Sequence, residues 1–198
     1  MKRYMSIAGV VLLASCASPE TPITRNNSQI TFPHYSIVVP PDRWHLLRPN
    51  EKAEVAVVTT KIDLGLGEPA TYRMQFARNE VLHEVPRSWS ARQVADDFRN
   101  MEKQIMIEQG VRRGQYKLSD VVMGEESVGD KKFYTMKYTA SDSHVNQSAS
   151  LYLYFPREEK NAYFMVIHYS EIIPRGAAIV VPFRRDFLET LKSLRINE

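Results

Sequence analysis

The chain has 198 residues, 43% hydrophobic and 25% charged, with 26 Lys and Arg against 23 Asp and Glu and a single cysteine. This is a globular composition able to bury one core, it requires no second domain, and a lone cysteine leaves no internal disulfide to support the fold. The formal charge of +3 includes Lys2 and Arg3, and their removal with a leader lowers it to +1, which excludes the clustered positive charge that nucleic acid requires.

Lys2 and Arg3 form a positive start, residues 7–14 an apolar run, and Ala14-Ser15 a small-residue approach to cleavage. The run is too short to span a bilayer, which takes about 20 apolar residues. The tetrad Leu13-Ala14-Ser15-Cys16 resembles the lipobox of bacterial lipoproteins. That resemblance implies a diacylglycerol on the Cys16 thiol, removal of residues 1–15 and acylation of the new amine. No other cofactor is expected. The plainer reading is an ordinary secretory leader before a chance cysteine, but a lone thiol is an awkward leftover in an oxidising compartment. Enterobacterial lipoproteins kept in the inner membrane carry aspartate after the cysteine. Ala17 at that position implies the outer membrane, facing the periplasm, with the inner membrane or cell surface as alternatives. Residues 16–29, rich in Ser, Pro, Thr and Asn, read as a flexible tether, and residues 30–198 as one domain.

In chain order, residues 35–39 are a β-branched run ended by Pro40-Pro41, Asp42-Arg43 completes a turn, and residues 44–47 start another strand. Residues 54–62 and 71–78 follow as strands around a Gly65-Leu66-Gly67 turn. Residues 90–109 change period. Ser90 and Gln93 make a capping box, Val94, Phe98, Met101 and Ile105 share one face, and Gly110 is placed to end the helix. Strands are then expected over residues 117–125, 132–140, 148–155 and 162–171, joined by polar turns that suit antiparallel pairing. Phe183, Phe187, Leu191 and Leu194 recur at helical spacing and close the chain. The class expected is α+β.

This element order, with the local string Tyr35-Ser36-Ile37-Val38-Val39-Pro40-Pro41-Asp42-Arg43-Trp44, resembles the PsbP-like fold, which includes DcrB-type lipoproteins. The resemblance implies an α/β/α sandwich: a mostly antiparallel sheet of about six or seven strands, a long central helix and a C-terminal helix. Two departures from it are the apolar stretch 173–182 and the lack of a glycine before Tyr35.

The five histidines, His34, His45, His83, His144 and His168, are dispersed, and no HExxH or Cys cluster suggests a metal. His168 shares a strand face with Phe164 and Val166 and reads as a core histidine beneath a helix rather than a ligand. Asp142-Ser143-His144 holds the residue types of a hydrolase triad, but neighbours in sequence rarely converge on one reacting atom, and a polar turn is the better reading. The Glu125-Glu126 and Glu158-Glu159 pairs read as solvated acids at strand ends and turns.

Tyrosines gather in the last strands, either as cross-strand packing or as the border of a groove. The candidate partner surface comprises Tyr152, Tyr154, Tyr163, Ile179, Val180, Arg184 and Arg185. Residues 177–181 form either a core strand or a contact loop, and Arg184 and Arg185 sit where positive charge opposes a helix dipole. The sequence is therefore expected to encode a lipid-anchored, non-catalytic envelope protein that binds a periplasmic or membrane partner. A small-molecule carrier with a pocket between sheet and helix is the alternative, and a lipid-anchored hydrolase using Ser143 or a carboxylate is a third reading.

Overall fold

The computed structural model describes residues 20–47, 49–81, 85–86, 88–113, 117–119, 121–156, 163–177 and 183–197. Their twelve strands are β1 (Glu20–Pro22), β2 (Gln29–Thr31), β3 (Tyr35–Val38), β4 (His45–Leu47), β5 (Val55–Ile62), β6 (Ala70–Glu80), β7 (Lys117–Leu118), β8 (Val122–Val128), β9 (Lys131–Ser141), β10 (Val145–Tyr154), β11 (Tyr163–Pro174) and β12 (Arg195–Ile196). The two helices are α1 (Ala91–Arg113) and α2 (Phe183–Ser193). Nine strands form one antiparallel sheet in the order β1-β4-β5-β6-β11-β10-β9-β7, with β8 also paired to β9; the other three form a small sheet, β12-β3-β2.

The expected PsbP-like α/β/α sandwich is corrected by this arrangement. The domain is mainly β, built on sheets of nine and three strands rather than on six or seven, and α1 lies on a face of the large sheet rather than at the centre. Three of the added strands, β1, β2 and β12, are two or three residues long and show no period a sequence can display. The segment expected as one strand over 117–125 divides into β7 and β8, both paired to β9. Order also reaches into the segment expected as a tether. β1 pairs with β4 from Glu20↔Leu47 to Pro22↔His45, Ile23 is 2% exposed, and the Lys61 ammonium meets the Glu20 carboxylate at 3.0 Å.

Period-two alternation in the long strands produces two cores, one on each face of the large sheet. Met165, Ile167 and Tyr169 of β11 face α2 and the small sheet, while Phe164 and Val166 face α1. On the first side Phe187 stacks on Tyr169 at 4.7 Å, Tyr72 lies 4.3 Å from Phe183, and the Tyr35 hydroxyl donates to the Glu54 carbonyl across the layers. Trp44, 1% exposed, donates its indole N–H to Asp186 at 3.2 Å and so ties β4 to the first turn of α2. On the second side Phe98 of α1 meets Phe164 edge-on at 5.3 Å.

The capping box forms as the residue types require. Ser90 Oγ accepts the Gln93 amide at 3.3 Å and Gln93 Oε1 accepts the Ser90 amide at 2.9 Å. The helix runs past Gly110 to Arg113, so Gly110 is not its terminus. Ser90→Ala is expected to cost about 1 kcal/mol by leaving an end amide without its acceptor. The urea midpoint should fall at unchanged m-value, and no fall would show that the cap contributes nothing.

Candidate functional site

Two buried or half-buried polar groupings lie on opposite faces of the large sheet. The first sits under the N-terminal turn of α2. Tyr152 of β10 is fully buried and Glu126 of β8 is half-buried. The Tyr152 hydroxyl donates to Glu126 Oε2 at 3.1 Å and accepts from Arg184 Nη2 at 3.1 Å. Lys137 Nζ reaches the same Glu126 oxygen at 2.7 Å. Burial works against ionisation of Glu126, but the Lys137 ammonium, the Tyr152 hydroxyl and the Arg184 charge outweigh it and hold the carboxyl below its usual range. Burial pushes Tyr152 up to about 12, with Arg184 and Glu126 acting in opposite senses. The phenol therefore stays protonated at neutral pH. This grouping explains Arg184, whose place at a helix start opposes the dipole: its partners are a phenol oxygen and, at 4.0 Å, Glu126.

The second grouping lies on the α1 face, across β6 and β11. Gln75 and His168 are register partners there, 1% and 6% exposed, with side chains about 5 Å apart at Cβ. Arg73 Nη2 donates to Gln75 Oε1 at 3.4 Å, and the Tyr138 hydroxyl lies 3.4 Å from His168 Nε2. His168 Nδ1 and Gln75 Nε2 are buried with no hydrogen-bond partner. Burial, reinforced by the Arg73 charge, lowers His168 to about 4, and burial with the Glu102 charge raises Tyr138 to about 12. Both groups are neutral at pH 7, so the imidazole keeps one donor and one acceptor nitrogen.

Burial of His168 couples folding stability to pH. Its folded value lies below the ordinary 6.5, so an unfolded chain binds the proton first as pH falls. The stability from burying the neutral ring is complete above about pH 6.5 and is lost between there and about pH 4, roughly 3 kcal/mol in all. Urea unfolding of wild type and His168→Gln at pH 7 and pH 4 should show the wild type losing more by that amount. Equal losses would mean that the ring titrates normally.

The sequence-derived candidates are dispersed by the fold. Tyr152 belongs to the core. Tyr154 is half-buried with its ring 5.4 Å from Phe133, and Tyr163 is half-buried beneath the Arg78 guanidinium at 4.9 Å. Arg184 is partly exposed and Arg185 exposed, while Ile179 and Val180 lie outside the described residues, as do Cys16, His83 and the Glu158-Glu159 pair. Of residues 177–181 only Ala177 is described, half-buried. Asp142 Oδ1 accepts the amides of His144 and Val145 at 2.7 and 2.8 Å, closing a polar turn with Ser143 and His144 exposed. His34 pairs with Glu54 at 2.5 Å, and His45 lies on β4. The Gln75–His168 pairing escaped the sequence reading because it joins strands some ninety residues apart, and only their register brings the two side chains together.

No protein-family model matches the chain, and no curated protein matches it. Solved structures similar to it include a Bacteroides thetaiotaomicron protein, 10% identical with a TM-score of 0.42, over 83% of this chain and 45% of that one. The chain thus spans less than half the length of the Bacteroides protein. Another is LpqN, involved in cell envelope biogenesis of Mycobacterium tuberculosis, 12% identical with a TM-score of 0.43, over 89% of this chain and 90% of LpqN.

Proposed function

We propose that this chain is a lipid-anchored protein of the bacterial envelope that binds or stabilises a periplasmic or membrane partner and catalyses no reaction. The observation that carries the reading is the tetrad Leu13-Ala14-Ser15-Cys16 behind Lys2, Arg3 and an apolar run. Among the described residues no helix is long and apolar enough to cross a membrane, and the lipid on Cys16 is the attachment proposed. Ala17 favours the outer membrane. Crosslinking in intact cells, followed by solubilisation and capture of the lipidated protein, should return the same envelope protein in replicate. Capture of the protein alone would contradict a binding role.

A second reading, a small-molecule carrier, is favoured by one observation: the adjacent, buried and unpartnered His168 Nδ1 and Gln75 Nε2. A polar ligand with hydrogen-bonding groups beneath α1 would satisfy both. Native mass spectrometry of the protein as purified tests it. A bound small molecule that disappears in Gln75→Leu supports the carrier, and an unliganded wild-type mass counts against it.

A further inference from the structure

We infer that the folded body stands edge-on to the membrane, with the β1 edge of the large sheet at the lipid headgroups and the β8 edge farthest from them. This rests on the lipid anchor at Cys16 proposed above and adds the orientation that the anchor imposes. Four residue steps separate Cys16 from Glu20, the first residue of β1, and even a fully extended chain covers only about 14 Å in that distance. The paired β1, the buried Ile23 and the Lys61–Glu20 contact make residue 20 part of the folded body, so the span does not lengthen by fraying of a tether.

β1 is the terminal strand of the large sheet and its three residues are exposed. Across β4, β5, β6, β11, β10 and β9 to β8 there are seven strand spacings, about 34 Å. The reach of the anchor is therefore less than half the width of the sheet. A domain so held could stand on its edge or lie on a face. Among the described residues the exposed large hydrophobics are Val38, Leu66, Ile107 and Val122. They belong to β3, the β5–β6 turn, α1 and β8, so among the described residues neither broad face presents a contiguous apolar patch to lipid. The described residues thus offer lipid no apolar broad face to compete with the short tether, which holds β1 at the headgroups and carries β8 out towards the aqueous side.

The lone native cysteine makes this measurable, because a lipidated Cys16 leaves no free thiol. Thr21→Cys on β1 and Val122→Cys on β8 each place one exposed thiol for a fluorophore in the full lipidated chain. The carrier is a phosphatidylethanolamine–phosphatidylglycerol vesicle containing headgroup-nitroxide lipid. The Thr21 label is expected to be quenched several-fold more than the Val122 label. Inserting twenty Gly and Ser residues after Ala17 should bring the Thr21 label down to the Val122 level. Flotation of the same vesicles reads the anchor separately. Protein that fails to float overturns the anchor and the orientation together. Protein that floats with equal quenching at both sites, or with quenching unchanged by the insertion, overturns the orientation alone.

Discussion

Phe187→Ala is expected to lose about 3–5 kcal/mol of stability, a large share of the 5–15 kcal/mol typical of a domain. Phe187 is fully buried on α2, stacked on Tyr169 at an interplanar angle of 18° and set against Tyr152 at 5.2 Å. Its ring packs against both β10 and β11. The surrounding rings cannot close over the cavity. Tyr152 is held at its hydroxyl by Glu126 and Arg184, and the Tyr169 hydroxyl bonds Glu171 at 2.6 Å. Urea unfolding should show the midpoint fall with m-value retained. A loss below 1 kcal/mol would mean that α2 is not seated on the sheet as described.

The second large effect is predicted for Cys16→Ser. A hydroxyl cannot take the place of the thiol as the lipid acceptor, and in the lipoproteins this leader resembles, cleavage follows lipidation. One acyl chain binds a bilayer only marginally and reversibly, whereas two or three make attachment effectively permanent. If the lipid is the anchor, the variant is expected to lose its membrane pool entirely and to retain residues 1–15. Separation of the two membranes by density, with immunodetection of the protein, checks this. An unchanged membrane pool in Cys16→Ser would show that something other than the lipid holds the chain there.

Long elements with a single period were legible in the sequence. Ser90 and Gln93 marked the start of α1, the spacing of Phe183, Phe187 and Leu191 marked α2, and the alternating strands β6, β9, β10 and β11 lie within a few residues of their expected places. Architecture was less so. β1 and β12 are formed by pairing with distant strands and β2 by a short hairpin with β3, none of them by a period of its own residues, and without them the β content looked smaller and the helices more dominant. The tyrosines stayed ambiguous for a related reason. Both faces of the large sheet are covered, so alternation does not separate a residue facing solvent from one facing a second layer. Tyr152 fits either a packed or a surface-bordering tyrosine by its sequence, and it is a core residue with a bonded hydroxyl, which removes it from the candidate partner surface. Arg184 could not be explained until Glu126, from a strand nearly sixty residues earlier, was found beside it.

Attachment through a lipid on Cys16 is read out by the intact mass of the protein extracted from membranes. The expected species is a chain of residues 16–198 carrying a diacylglycerol on the Cys16 sulfur and an acyl group on its amine. A chain beginning elsewhere, or one beginning at Cys16 with an unmodified thiol, would contradict it.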